Sequence, residues 1–121
     1  MRDVERLLKN AGIIRHRGKI EAVINNARRA RELVAREGSL AAFLWRYEPD
    51  ANALGKPQTA TTSKESIALS KDLKKQGWAF VGPTTMFAFM QAMGLINDHA
   101  EDCVIRTKVD NARKKFKRPG R

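Results

Sequence analysis

Between residues 19 and 36 the apolar side chains of Ile20, Val23, Ile24, Ala27, Ala30 and Val34 return every three or four positions, with Arg28, Arg29, Arg31 and Arg36 on the other faces. That spacing predicts an amphipathic helix ended by Gly38. Upstream, Val4, Leu7 and Leu8 share one side of a short helix over residues 3–10, with Asp3 as its N-cap and Ala11-Gly12 as its end. Downstream, Ser39 caps a helix that turns Phe43, Leu44 and Tyr47 to the core before Pro49 closes it, and Trp45 lies off that stripe or at its edge, which leaves its burial open. Pro49, Gly55 and Pro57 mark residues 48–61 as a loop, long for a compact domain and therefore functional or mobile. Thr62 and Glu65 fit a capping box at the head of a helix carrying Ile67, Leu69 and Leu73.

The rest of the chain is organised around residues 73–103. There the pattern predicts the end of one helix, a glycine-bracketed hairpin over residues 77–82, and a second helix opened by Pro83 after Gly82. Met86, Phe87, Phe89, Met90, Ala92 and Met93 cover nearly the whole circumference of that second helix, which predicts a central, buried position. Gly94 ends it. Asn97 and Asp98 can then cap a further short helix with Glu101 in its first turn. Residues 106–121 read as a disordered tail, or as a frayed helix around residues 109–116.

Charge changes the picture. Residues 1–36 hold ten Lys/Arg against four acids, residues 37–105 six against eight, and residues 106–121 eight against one, for a net charge of +11. A polyanion is the natural partner of such ends, and nucleic acid the first candidate, because neutralising phosphates releases counterions. The free amides at the helix start after Gly82, beside the hydroxyls of Thr84 and Thr85, suit a phosphate; the alternative is an ordinary tight helical hairpin. The basic turn around His16 can touch a phosphate backbone or simply be solvated. With 121 residues, 42% of them hydrophobic, the composition fits one soluble domain. No run is long enough for a membrane span and the start is too polar for a signal peptide, so the expected location is the cytoplasm. Cys103 is the one cysteine, which excludes an internal disulfide. His99 and Cys103, four residues apart, would share a face of a helix, either as two zinc ligands or as a packed pair. The only other histidine is His16, so four ligands are not present.

Two long strings, DVERLLKNAGIIRHRGKIEAVINNARRA and KKQGWAFVGPTTMFAFMQAMGLINDHAEDC, resemble the C-terminal part of the DNA-3-methyladenine glycosylase I family over about residues 3–104. The resemblance implies an all-α fold of the helix-hairpin-helix DNA glycosylase superfamily, with residues 1–104 as the C-terminal portion of the glycosylase domain and residues 105–121 as a basic tail outside it. It implies a base-excision repair enzyme that flips 3-methyladenine out of alkylated double-stranded DNA and hydrolyses its N-glycosidic bond. Gly77, Trp78, Val81, Gly82, Thr84 and Thr85 would bind the DNA, Phe87 and Met90 would form a wall of the base pocket, and His99 and Cys103 would hold a structural zinc ion. The other two zinc ligands, the aromatic residues that sandwich the base and the glutamate that recognises it belong to an N-terminal part of the family domain that this chain lacks. Phe87 stands where relatives can carry tyrosine, and Asp98 lies near the catalytic aspartate of the wider superfamily, although this family works without it.

The resemblance thus implies an N-terminally truncated glycosylase, impaired in isolation, with no residue assigned as catalytic. The alternative is a non-catalytic helical DNA-binding module. A helix-turn-helix repressor fits less well, because the helix after Pro83 is too apolar for a recognition helix. Truncation would expose surface around Phe43, Trp45, Phe87 and Phe89, through which copies could self-associate.

Overall fold

The computed structural model describes residues 2–50 and 56–120. Among them it is helical, without strands: α1 (Arg2–Leu8), α2 (Arg17–Glu37), α3 (Leu40–Trp45), α4 (Lys64–Lys75), α5 (Pro83–Ala92) and α6 (Val104–Lys115). No helix is long and apolar enough to cross a membrane.

Three of the helices, α2, α3 and α4, start on a side-chain cap, though not always the expected one. Asp3 sits inside α1 and pairs with Arg6 at 3.6 Å instead of capping it. The N-cap of α2 is His16, whose Nδ1 accepts the Lys19 amide at 3.1 Å, so the basic turn is also the start of the longest helix. Ser39 caps α3 as expected, accepting from the Ala42 amide at 3.1 Å. At α4 the capping box belongs to Ser63 and Ser66 rather than Thr62 and Glu65; the two hydroxyls exchange bonds with each other's amides at 3.1 and 2.8 Å. Ser66 is completely buried, a place where the compact hydroxyl fits and a glutamate would not.

The core consists of Leu33, Phe43, Leu69, Leu73, Val81, Met86, Met90, Leu95 and Ile96. It forms mainly where α4 and α5 pack on each other, with Leu33 of α2 and Phe43 of α3 joining it from a second packed pair of helices. The buried side of α2 is rotated from the predicted stripe: Ile20, Ala22 and Leu33 face inward, whereas Val23 is 67% exposed and Val34 also faces solvent. Likewise Ile67 lies outside the core and Ser70 inside it. Only Met86 and Met90 of α5 are buried, while Ala92 and Met93 are exposed, so this helix lies at the edge of the core and not through its centre. Phe43, expected at an exposed patch, is buried.

Two further expectations change. Residues 97–103 form turns, not a helix. Of the two readings of residues 106–121 the helix is the one found, longer than the frayed one expected around residues 109–116: α6 is followed by Phe116 and Arg118, which fold back onto α3. The Trp45 and Phe116 rings lie 4.9 Å apart, with the Arg118 guanidinium 5.3 Å from the Trp45 ring. Beneath them Glu48, its side chain 7% exposed, accepts from Arg113 at 2.8 Å and from Arg118 at 2.8 and 3.1 Å. Trp45, ambiguous in sequence, is thereby half-buried under the chain's own C-terminal segment. Of the long loop, residues 51–55 lie outside the described residues, and residues 56–59 make turns.

Candidate nucleic-acid interface

The hairpin begins where α4 stops. The amides of Gly77 and Trp78 bond back to the carbonyls of Lys74 and Leu73, both at 3.0 Å, a Schellman ending that requires a left-handed residue. Gly77 supplies it at φ +92°, and the Arg29 side chain covers its bare α-carbon, 3.3 Å from where a β-carbon would stand. Tyr47, Asp72, Gln76 and Arg36 brace the same end. Tyr47 donates to Asp72 at 2.5 Å, Gln76 donates to Asp72 at 2.9 Å, and Arg36 donates to Gln76 at 2.7 Å. Burial, and then the bond to Asp72, push the Tyr47 hydroxyl well above its ordinary pKa. That same bond, outweighing burial and aided by Gln76, holds the Asp72 carboxyl below the usual range.

Helix α2 fixes the hairpin from the side through two adjacent asparagines. Asn25 Nδ2 donates to the Gly77 carbonyl at 2.8 Å. Asn26 engages both polar groups of Ala79, donating to its carbonyl and accepting from its amide, each at 2.8 Å. The amide side chain thus replaces the strand partner that an isolated hairpin would lack. Neither asparagine was singled out in the sequence. The available signal was two poor helix formers side by side in the middle of a helix, a cost that calls for a tertiary reason.

Past Ala79 the chain reverses through Phe80, at φ +58° and 63% exposed. A bulky residue in the left-handed region carries strain of roughly 1 kcal/mol, sustained here by the Asn26 clamp beside it. Phe80→Gly is therefore expected to raise stability by about 1 kcal/mol in urea unfolding, because it relieves that strain and removes few buried contacts. An unchanged or lower midpoint would show that Phe80 has a packing role.

The residues predicted to bind DNA are brought together here in different roles. The Val81 side chain is in the core, 5% exposed, which leaves its main chain as the part able to meet a ligand. Trp78 packs against the core, its indole N–H buried without an acceptor among the described residues. Gly82 is the N-cap of α5 and makes no side-chain cap, Pro83 follows at the first turn, and Thr84 and Thr85 are exposed. An uncapped helix start with exposed hydroxyls beside it can accept an anion through amides and the helix dipole.

One turn further along α5, Phe87 lines a hollow of about 460 Å³ shared with Ser63, Glu65, Asn97, Asp98 and Arg106. Met90 lies beneath in the core, 0% exposed, so Phe87 alone of the predicted pair faces this space. Asp98 does not cap a helix. Its carboxylate accepts the Gln58 amide at 3.1 Å, its carbonyl accepts from the Gln58 side chain, and its own amide donates to Gln91 at 2.5 Å. It therefore ties the loop before α4 to α5. His99 and Cys103 occupy the turns beside this hollow, Cys103 as the N-cap position of α6. They are zinc ligands in kind, yet among the described residues no third histidine, cysteine or carboxylate gathers with them into a metal site.

Two helices joined by a short glycine-bracketed reversal, the second beginning without a cap, within an all-helical bundle, define a helix-hairpin-helix protein of the DNA glycosylase type. The sequence profile of the methyladenine glycosylase family matches residues 1–107, and the chain belongs to that family. It is 46% identical over 105 residues to DNA-3-methyladenine glycosylase 1 of Escherichia coli (strain K12), spanning 84% of this chain and 56% of that protein. It is 39% identical over 109 residues to DNA-3-methyladenine glycosylase of Haemophilus influenzae, spanning 87% of this chain and 59% of that protein. Its fold superposes on a crystal structure of 3-methyladenine DNA glycosylase I with a TM-score of 0.77 at 45% identity, covering 85% of this chain and 59% of the other. A Staphylococcus aureus 3-methyladenine DNA glycosylase I gives 0.76 at 35% identity, covering 87% and 58%. The chain thus spans a little over half the length of the relatives it matches.

Proposed function

We propose that this chain is the DNA-gripping portion of a base-excision repair glycosylase that releases 3-methyladenine from alkylated duplex DNA. The observation that carries the reading is the braced hairpin of residues 77–82 leading into the uncapped start of α5, in a chain of this family. The amides around Gly82 and Thr84 hold a phosphate of the damaged strand, and Phe87 forms one wall for the displaced base. In the reaction, water adds at the sugar C1′ as the C1′–N9 bond breaks, both bonding electrons leave with the cationic methylated base, and water gives up a proton. Such a leaving group departs without a covalent enzyme intermediate, so binding and orientation are the main demands on the protein. His99 and Cys103 would supply two ligands of a structural zinc ion, and no third donor gathers with them among the described residues. Bound there, zinc would cross-link these turns to a neighbouring segment.

The test is release of free base from methylated duplex DNA by the 121-residue chain and by a chimera in which residues 3–104 replace the matching segment of the Escherichia coli relative. The chimera is expected to release 3-methyladenine, and the isolated chain to do so at least about 100-fold more slowly, with half a pocket to orient the base. A folded chimera that binds DNA and releases no base would sink the glycosylase reading and leave a non-catalytic DNA-binding module.

A further inference from the structure

We propose that the outward face of α6 is a second surface for the phosphate backbone of duplex DNA, separate from the hairpin; it rests on the DNA reading above. Most of this helix lies beyond the family match, which ends at residue 107. The structure sorts its charges by direction. Arg106 turns inward to the carbonyls of Asn97 and His99, at 3.1 and 2.6 Å, and Arg113 and Arg118 turn inward to Glu48. Asp110, the one acid after residue 105, is also turned inward, accepting from Asn97 Nδ2 at 2.8 Å. What remains outside is Lys108, Lys114, Lys115 and, just past the helix, Lys117, all exposed and without an acid partner among the described residues. Lys108 and Lys115 lie two turns apart on one side, about 10 Å along the axis, with Lys114 at its edge. A duplex presents several phosphates over that distance.

Two features favour DNA over an anionic membrane. Val104 and Ile105, adjacent in the first turn, are the exposed large apolar residues of the helix, whereas Val109 and Ala112, with the half-exposed Phe116 just past the end, line an apolar hollow with Trp45 and Phe89. A membrane-surface helix needs a free apolar stripe along its length, whereas the exposed pair here is confined to the first turn and the other apolar residues face Trp45 and Phe89. The inward ion pairs also hold the lysines on a fixed support, so a phosphate track meets charges that need not be ordered first.

The test replaces Lys108, Lys114, Lys115 and Lys117 together by glutamine and measures binding to a non-specific duplex by fluorescence anisotropy from low to high salt. The plot of log K against log salt is expected to become shallower by about 2 to 3.5, since each neutralised phosphate contributes about 0.9. The quadruple arginine variant should keep the original slope. An unchanged slope in the glutamine variant, with tight binding retained, would overturn the second surface and leave the hairpin reading standing. Loss confined to RNA or to anionic vesicles would overturn it too. If the unaltered chain binds no DNA at any salt, the DNA reading itself falls. Thermal unfolding of both variants should match the parent, because these lysines make no inward contact.

Discussion

Asn26→Ala is expected to lower stability by about 2 to 3 kcal/mol and DNA affinity by at least about tenfold. The substitution strands both polar groups of Ala79 in a half-buried position, and each unmet group there costs roughly 1 kcal/mol or more. It also removes the support beside Phe80, so the strained reversal relaxes and the start of α5 loses its fixed approach. Asn26→Asp separates the two effects. The carboxylate can still accept from the Ala79 amide at the 2.8 Å contact but cannot donate to its carbonyl, and it adds a negative charge beside the hairpin proposed to meet a phosphate. Stability should then fall less than in the alanine variant, and DNA affinity at low salt should fall as much or more. Urea unfolding and anisotropy titrations on the same samples check both. Equal stability of the alanine variant and the parent would mean that the hairpin holds itself.

Glu48→Ala is expected to be of similar or larger effect, about 2 to 4 kcal/mol, because it leaves Arg113 and Arg118 mostly buried without their carboxylate. Burial alone would push the Glu48 carboxyl up; the hydrogen bonds and charges of Arg118 and Arg113 outweigh it and hold the group below the ordinary glutamate value. The sign follows. The unfolded chain binds the proton more readily, so this contribution is complete above the unfolded value near about 4.3 and is lost as pH falls through the lower folded value. Unfolding measured at pH 7 and again below pH 4 should therefore show the parent and Glu48→Gln converging at the acid end. A gap that stays constant with pH would assign the loss to packing instead.

Much of the fold could be read from residue types, because helix ends and apolar periods are local. Gly38, Ser39, Gly77, Pro83 and Gly94 punctuate the chain where predicted. What failed to show was tertiary. The choice of Ser63 over Thr62 as cap depends on room for Ser66 in the core, and the rotation of α2 that buries Leu33 and exposes Val34 depends on what α4 and α5 present to it. The His99 and Cys103 spacing was legible, but the helix assumed beneath it was not there. Between a disordered tail and a frayed helix the sequence could not choose for α6, because a count of charges cannot reveal that Arg106 and Arg113, with Arg118 just past the helix, turn inward, two of them to one carboxylate far upstream. Asn25 and Asn26 carried the weakest signal for their importance, since an asparagine in a helix has no preferred partner until the fold supplies one.

The distances along the chain spanned by these contacts order the folding of the molecule. Helices α4 and α5 are neighbours in sequence, so their pairing closes a short loop and can form early. The asparagine clamp joins residues 52 and 53 positions apart, and the Glu48 latch joins Glu48 to Arg118 across 70. Trp45 can therefore be covered only after residues 116–118 have left the ribosome. Until then the nascent protein exposes an indole that the finished one hides, an apolar surface of the kind that makes partly folded chains prone to aggregate.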